Sequence, residues 1–145
     1  MTDYRLLVVC CLVVIAALLV VGAVSHGVIR HIVQTAPLWF SIVLGLRRSE
    51  WSKWAALPCL LFWLVIMVFI WLFLLGWARI ITGTFSATET EMTIVVGLAS
   101  IAGLAKALST RTGVRWWKGL TVFAAIAVLQ VVVLRISLLP AIAHR

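Results

Sequence analysis

Acidic side chains are almost missing from this chain: Asp3, Glu50, Glu89 and Glu91 are the only four among 145 residues. So thin and scattered a set offers no carboxylate pair for acid–base catalysis. No Ser/His/Asp arrangement, phosphate-cradling glycine loop or zinc-type spacing is present either, so enzyme templates fail and no cofactor is expected. Cysteine is also scarce, and Cys10, Cys11 and Cys59 are odd in number with two of them adjacent, which implies no disulfide framework. The first half of the chain does not repeat in the second.

What the chain does have is apolar length. Sixty-five percent of the residues are hydrophobic, mean hydropathy is +1.22, and only 11% are charged. The apolar residues gather into four blocks, at about 6–24, 55–78, 92–108 and 119–139. A helix rises about 1.5 Å per residue and a bilayer core is roughly 30 Å thick, so each block is close to spanning length. The expected fold is all-α: one polytopic membrane domain over 1–145, a small bundle of four transmembrane helices. A net charge of +8 would suggest nucleic acid for a soluble protein. Here the lipid bilayer is the expected partner and nucleic acid is not, because basic connectors suit anionic headgroups.

The connectors give an orientation. Arg30, Arg47, Arg48 and Lys53 fall in or beside the first, Lys106, Arg111, Arg115 and Lys118 in or beside the third. The second carries Arg79 against Glu89 and Glu91. Positive-inside counting then puts the first and third connectors in the cytoplasm and both termini outside, in a cell membrane, with the bacterial inner membrane as the expected setting. Trp51, Trp54, Trp77, Trp116 and Trp117 sit at block ends, where indole rings favour the interface. Ser86-x-x-Glu89 and Thr88-x-x-Glu91 each fit a capping box ahead of the third block. Residues 23–25 offer small side chains for signal cleavage, but the preceding run is long and weakly basic, so the first block is expected to remain as a span.

Residues 36–46 are the least ordinary stretch, with Ser41 as their only polar side chain and Pro37 near their start. Eleven helical residues reach about half of the hydrocarbon core. A short interfacial or re-entrant helix in the first cytoplasmic connector is therefore expected. A crossing would make five spans and break the orientation argument.

Few residues invite chemistry. His26 and His31 bracket Arg30 with a spacing of five, whereas one helix face would bring imidazoles together at i and i+4. They are weak cofactor candidates, better read as interfacial histidines. The run Gly27-Val28-Ile29-Arg30-His31 resembles the Gly-x-Arg-His run in membrane-anchor subunits of succinate dehydrogenase. It has one residue inserted and lacks the upstream histidine spacing and the following aspartate, so haem and quinone roles are not carried over. Cys10 and Cys11 are weak metal candidates: a vicinal pair in a first span is similar to that of small mercuric-ion transporters. Those proteins have a second pair, and this chain has only Cys59.

Contact-forming residues are more prominent. Ala99, Gly103 and Ala107 recur every four residues in the third block, with Gly97 and Ser100 beside them, a pattern that lets helix backbones approach closely. That block is the expected central or oligomer-forming helix. Gln130, deep in the fourth block, is expected to bond a neighbouring helix. No Asp, Glu or His lies within the four blocks, which speaks against a proton relay and against the small multidrug exporters with their embedded glutamate. The function expected is thus a non-enzymatic accessory, assembly or scaffold subunit that self-associates as a homo-oligomer or joins other membrane subunits. The alternative is a small oligomeric channel or transporter lined by Gln130, Ser100 and residues 36–46. A third reading is a redox or soft-metal-handling subunit using the histidines or cysteines.

Overall fold

The computed structural model describes residues 3–78 and 83–143, all but two of them with their side chains; Arg79, counted above for orientation, lies outside them. The elements are α1 (Asp3–Val24), α2 (Val28–Leu46), α3 (Trp51–Leu74), α4 (Ala87–Ser109), α5 (Trp116–Ser137) and the single turn α6 (Pro140–Ala143). Five of these helices are long and apolar enough to cross a membrane. The chain is all-helical among the described residues and compatible with a multi-pass membrane protein.

The extra long helix is α2. Where the sequence suggested a short helix over 36–46, one helix of 19 residues runs from Val28 and includes the polar stretch before it. At about 1.5 Å per residue this is about 28 Å, the length of a span. The polar residues misled because burial satisfies them in two ways, Gln34 through a partner distant in sequence and Thr35 through its own helix. Gln34 and Thr35 are buried: the Gln34 amide donates to Ser137 Oγ of α5 (2.9 Å), and Thr35 Oγ1 donates to the Ile32 carbonyl (2.8 Å). Pro37 sits inside α2 and removes one main-chain donor, a loss that membrane helices tolerate where neighbours pack closely.

Successive long helices run in opposite directions. Residues 25–27 turn α1 into α2, with His26 in a left-handed conformation (φ 57°) and Gly27 N–H bonded to the Gly22 carbonyl at 2.8 Å. At the other end Gly45 of α2 lies against Val8 and the Tyr4 carbonyl of α1. The start of α1 and the end of α5 therefore lie at opposite ends of the bundle, whereas four spans would put them at the same end. α1 to α4 surround the core, in which Val14, Leu38, Leu60, Trp63 and Val96 are almost fully enclosed. α5 packs on α2 and α3 and, among the described residues, touches neither α1 nor α4.

Two glycines of the later helices set further close approaches. A Cβ on Gly103 would stand 2.7 Å from Leu60 Cδ1 and 3.1 Å from Cys10 Cβ, so α4 can settle on α1 and α3 only without a side chain there. Gly119 lets α5 rest directly on the Trp54 ring. The start of α4 is fixed by one of the two capping boxes: Glu89 N–H donates to Ser86 Oγ (3.2 Å) and Ser86 N–H to Glu89 Oε2 (2.7 Å).

The bundle has two unlike ends. Arg5, Arg47, Arg48, Lys53, Lys106, Arg111, Arg115 and Lys118 all lie at or near one, the basic end. There Lys53 Nζ donates to the Thr110 carbonyl at 2.8 Å and ties α3 to the turn after α4. The opposite end, formed by the α1–α2 hairpin and the start of α4, carries Arg30, Glu89, Glu91 and Arg135.

Candidate functional site

At the hairpin end, α1 to α4, with Leu134 of α5, leave a cleft of about 470 Å³ between them. This is within the size range of small-molecule sites, roughly 300–1,000 Å³. Its polar lining comes from the starts of two helices: Arg30 and His31 in the first turn of α2 with Gln34 buried one turn further in, and Glu89 in the first turn of α4. Its deeper walls are apolar, with Phe62, Trp63, Ile66 and Met67 from α3 and Val96 from α4. Phe85, in the connector before α4, closes one side and is held by an aromatic contact with Phe73 (centroids 6.0 Å apart).

Each rim residue is positioned by a local cause. His31 packs edge-on against Gly22, where a Cβ would stand 3.0 Å from Nδ1, and its Nδ1–H donates to the Gly27 carbonyl at 2.9 Å. That bond assigns the tautomer and leaves Nε2 for the cleft. Arg30 is half-buried, and its Nε has no hydrogen-bond partner. Glu89 is half-buried and held by its own capping box. Arg30 and Glu89 line the same space, yet no ion pair joins them. Trp63 is 4% exposed, and its indole N–H is buried without a partner. A buried donor left unpaired costs about 1–3 kcal/mol. The arrangement can thus take both charges of a ligand at its rim and an apolar group below.

Of the residues marked out in the sequence, some meet and some do not. His26 is exposed in the hairpin turn and does not line the cleft with His31. Cys10, Cys11 and Cys59 are buried free thiols, and no group of three or more His, Cys, Asp or Glu side chains is placed to hold a metal ion among the described residues. Ser100, Gly103 and Ala107 form the face of α4 turned into the bundle, whereas Gly97 faces outward with nothing within 4 Å of where its Cβ would be. Ala99 is half-buried between these faces. Gln130 is 1% exposed and its Nε2 donates to the Gln34 carbonyl at 3.4 Å, linking α5 to α2, while its Oε1 has no partner.

Ser100 and Gln130, named for a channel lining, sit on α4 and α5, which share no contact among the described residues, and Ser41 donates its hydroxyl to the Pro37 carbonyl within α2. Trp51, Trp116 and Trp117 are exposed around the basic end and Trp77 at the other, while Trp54 is half-buried beneath Gly119.

Arg30, Gln34, Trp63 and Glu89 were not marked out as a site by the sequence. Arg30 read as connector charge and Glu89 as a cap. The available signal was the i, i+4 spacing of Arg30 and Gln34, legible once α2 is taken as one helix. In comparisons with protein-family models, curated proteins and solved structures, the chain matches none.

Proposed function

We propose that this is a non-enzymatic, five-span membrane protein that acts as an accessory or scaffold subunit, docking other transmembrane helices against α3 and α4. One observation carries the reading. Gly97 opens the outward face of α4 into an apolar groove of about 410 Å³, walled by Leu64, Val68, Trp71, Leu98 and Ile101. The small residues turned inward already hold the bundle together, and Gly97 serves no contact within it. A small residue on an outer helix face is what lets a second backbone approach in lipid, where packing drives association.

The topology proposed with it puts the start of α1 and the basic end in the cytoplasm, and the hairpin, the cleft and the end of α5 outside. Its support is the gathering of lysine and arginine at one end of the bundle and the capping carboxylates at the other. The cell membrane is the corresponding location.

Extraction in mild detergent tests the docking reading. The wild type is expected in an assembly larger than one chain, and Gly97→Leu is expected to release a folded monomer. A wild type recovered only as monomer, or an assembly unchanged by Gly97→Leu, contradicts it.

A further inference from the structure

We propose that the hairpin-end cleft is a binding site for a zwitterionic phospholipid with a primary amine: phosphate at Arg30, ammonium at Glu89, and one acyl chain along Phe62, Ile66 and Met67. The inference rests on residence in a membrane and not on the docking of partner helices. It starts from the placement of charge. Arg30 and Glu89 face one space without pairing with each other, so that space lies between a cation and an anion. A guanidinium suits phosphate because its fork of donors matches two oxygens, and the unpartnered Nε of Arg30 is one such donor. Glu89 uses Oε2 for the Ser86 cap, so binding an ammonium at the same carboxylate leaves the helix start intact.

Depth agrees with this assignment. Arg30 lies in the first turn of α2 and Glu89 in the first turn of α4, level with helix ends where headgroups lie. Trp63 is eleven residues from the end of α3, about 16 Å deeper at a helix rise of 1.5 Å. The walls between are apolar, as an acyl chain requires. A water-soluble phosphate ester would leave those walls exposed. A trimethylated amine lacks the N–H donors that Glu89 accepts, which separates phosphatidylethanolamine from phosphatidylcholine. A headgroup without a cation leaves Glu89 facing like charge, which disfavours phosphatidylglycerol.

The test is lipid retention from vesicles holding equal parts phosphatidylethanolamine, phosphatidylglycerol and phosphatidylcholine, read by native mass spectrometry after gentle extraction. Wild type is expected to retain one phosphatidylethanolamine about tenfold over either competitor, the scale of one charge-assisted hydrogen bond. Arg30→Gln is expected to lose retention of every phospholipid. Glu89→Gln keeps the capping box, since glutamine serves as well there, and is expected to lose the preference for phosphatidylethanolamine over phosphatidylglycerol. Lys118→Gln at the basic end is expected to change neither. Helix content by circular dichroism checks folding, and if Arg30→Gln does not fold, Glu89→Gln decides. Equal or better retention of phosphatidylglycerol by wild type, or an unchanged preference in Glu89→Gln, overturns the proposal. Loss of assembly in Gly97→Leu leaves this retention unaffected, so the two readings fail separately.

Discussion

Gln130 of α5 reaches the main-chain carbonyl of Gln34 on α2, while the Gln34 side chain reaches Ser137 one helical stretch further along α5. The two glutamines form a short polar seam on an otherwise apolar contact. The Gln130 bond is long at 3.4 Å, and its Oε1 is buried without a partner. Gln130→Leu is therefore expected to change stability by less than about 1 kcal/mol, since membrane hydrogen bonds average below that and the substitution also removes an unpaired acceptor. Thermal unfolding in detergent measures it. A loss of several kcal/mol would mean the seam holds α5 in place.

Gly103 and Gly97 give a contrast within one helix. Gly103→Leu drives a side chain into Leu60 and Cys10, and overpacking of this kind costs about 1–3 kcal/mol or more. Gly97→Leu meets nothing within the chain and is expected to leave the monomer's unfolding temperature unchanged. Equal effects from both would contradict the assignment of inner and outer faces.

The cap of α4 is equally specific. Ser86→Ala removes the hydroxyl that accepts from Glu89 N–H and is expected to cost about 0.5–2 kcal/mol. Thr88→Ala, an exposed position inside α4, is expected to stay within about 0.5 kcal/mol of wild type. Chemical unfolding of the two variants side by side checks the order.

His31 fastens the hairpin by donating to the Gly27 carbonyl and packing on Gly22. His31→Ala is expected to lose about 1 kcal/mol, the scale of one hydrogen bond, while His26→Ala, exposed in the same turn, loses little through contacts. Proteolysis at the hairpin is expected to be faster in the first variant than in the second, and the reverse order would contradict the fastening role.

Four of the five long helices were legible because runs such as that at 6–24 are continuous, apolar and long enough to cross a membrane. α2 was not, because Arg30, His31, Gln34 and Thr35 interrupt its apolar surface and Pro37 mimics a helix start. The partner of the Gln34 amide, Ser137, lies 103 residues away, which local reading does not bring together. The same blind spot hid the cleft. Glu89 read fully as a cap, and nothing near it in sequence showed that Arg30 faces the same space. The small residues of the third block were visible as a stripe, but only the packed bundle separates Gly103, turned in, from Gly97, turned out.

In the five-span topology α2 crosses from one side of the membrane to the other. On a background without native cysteines, Ser25→Cys in the hairpin and Ser49→Cys in the next turn can be exposed to a membrane-impermeant thiol reagent added outside intact cells. Labelling of the hairpin cysteine alone, with the other reacting only after permeabilisation, is the result predicted. Labelling of both from the same side would return α2 to the membrane surface and contradict the five-span topology, with the cleft it exposes to the outside.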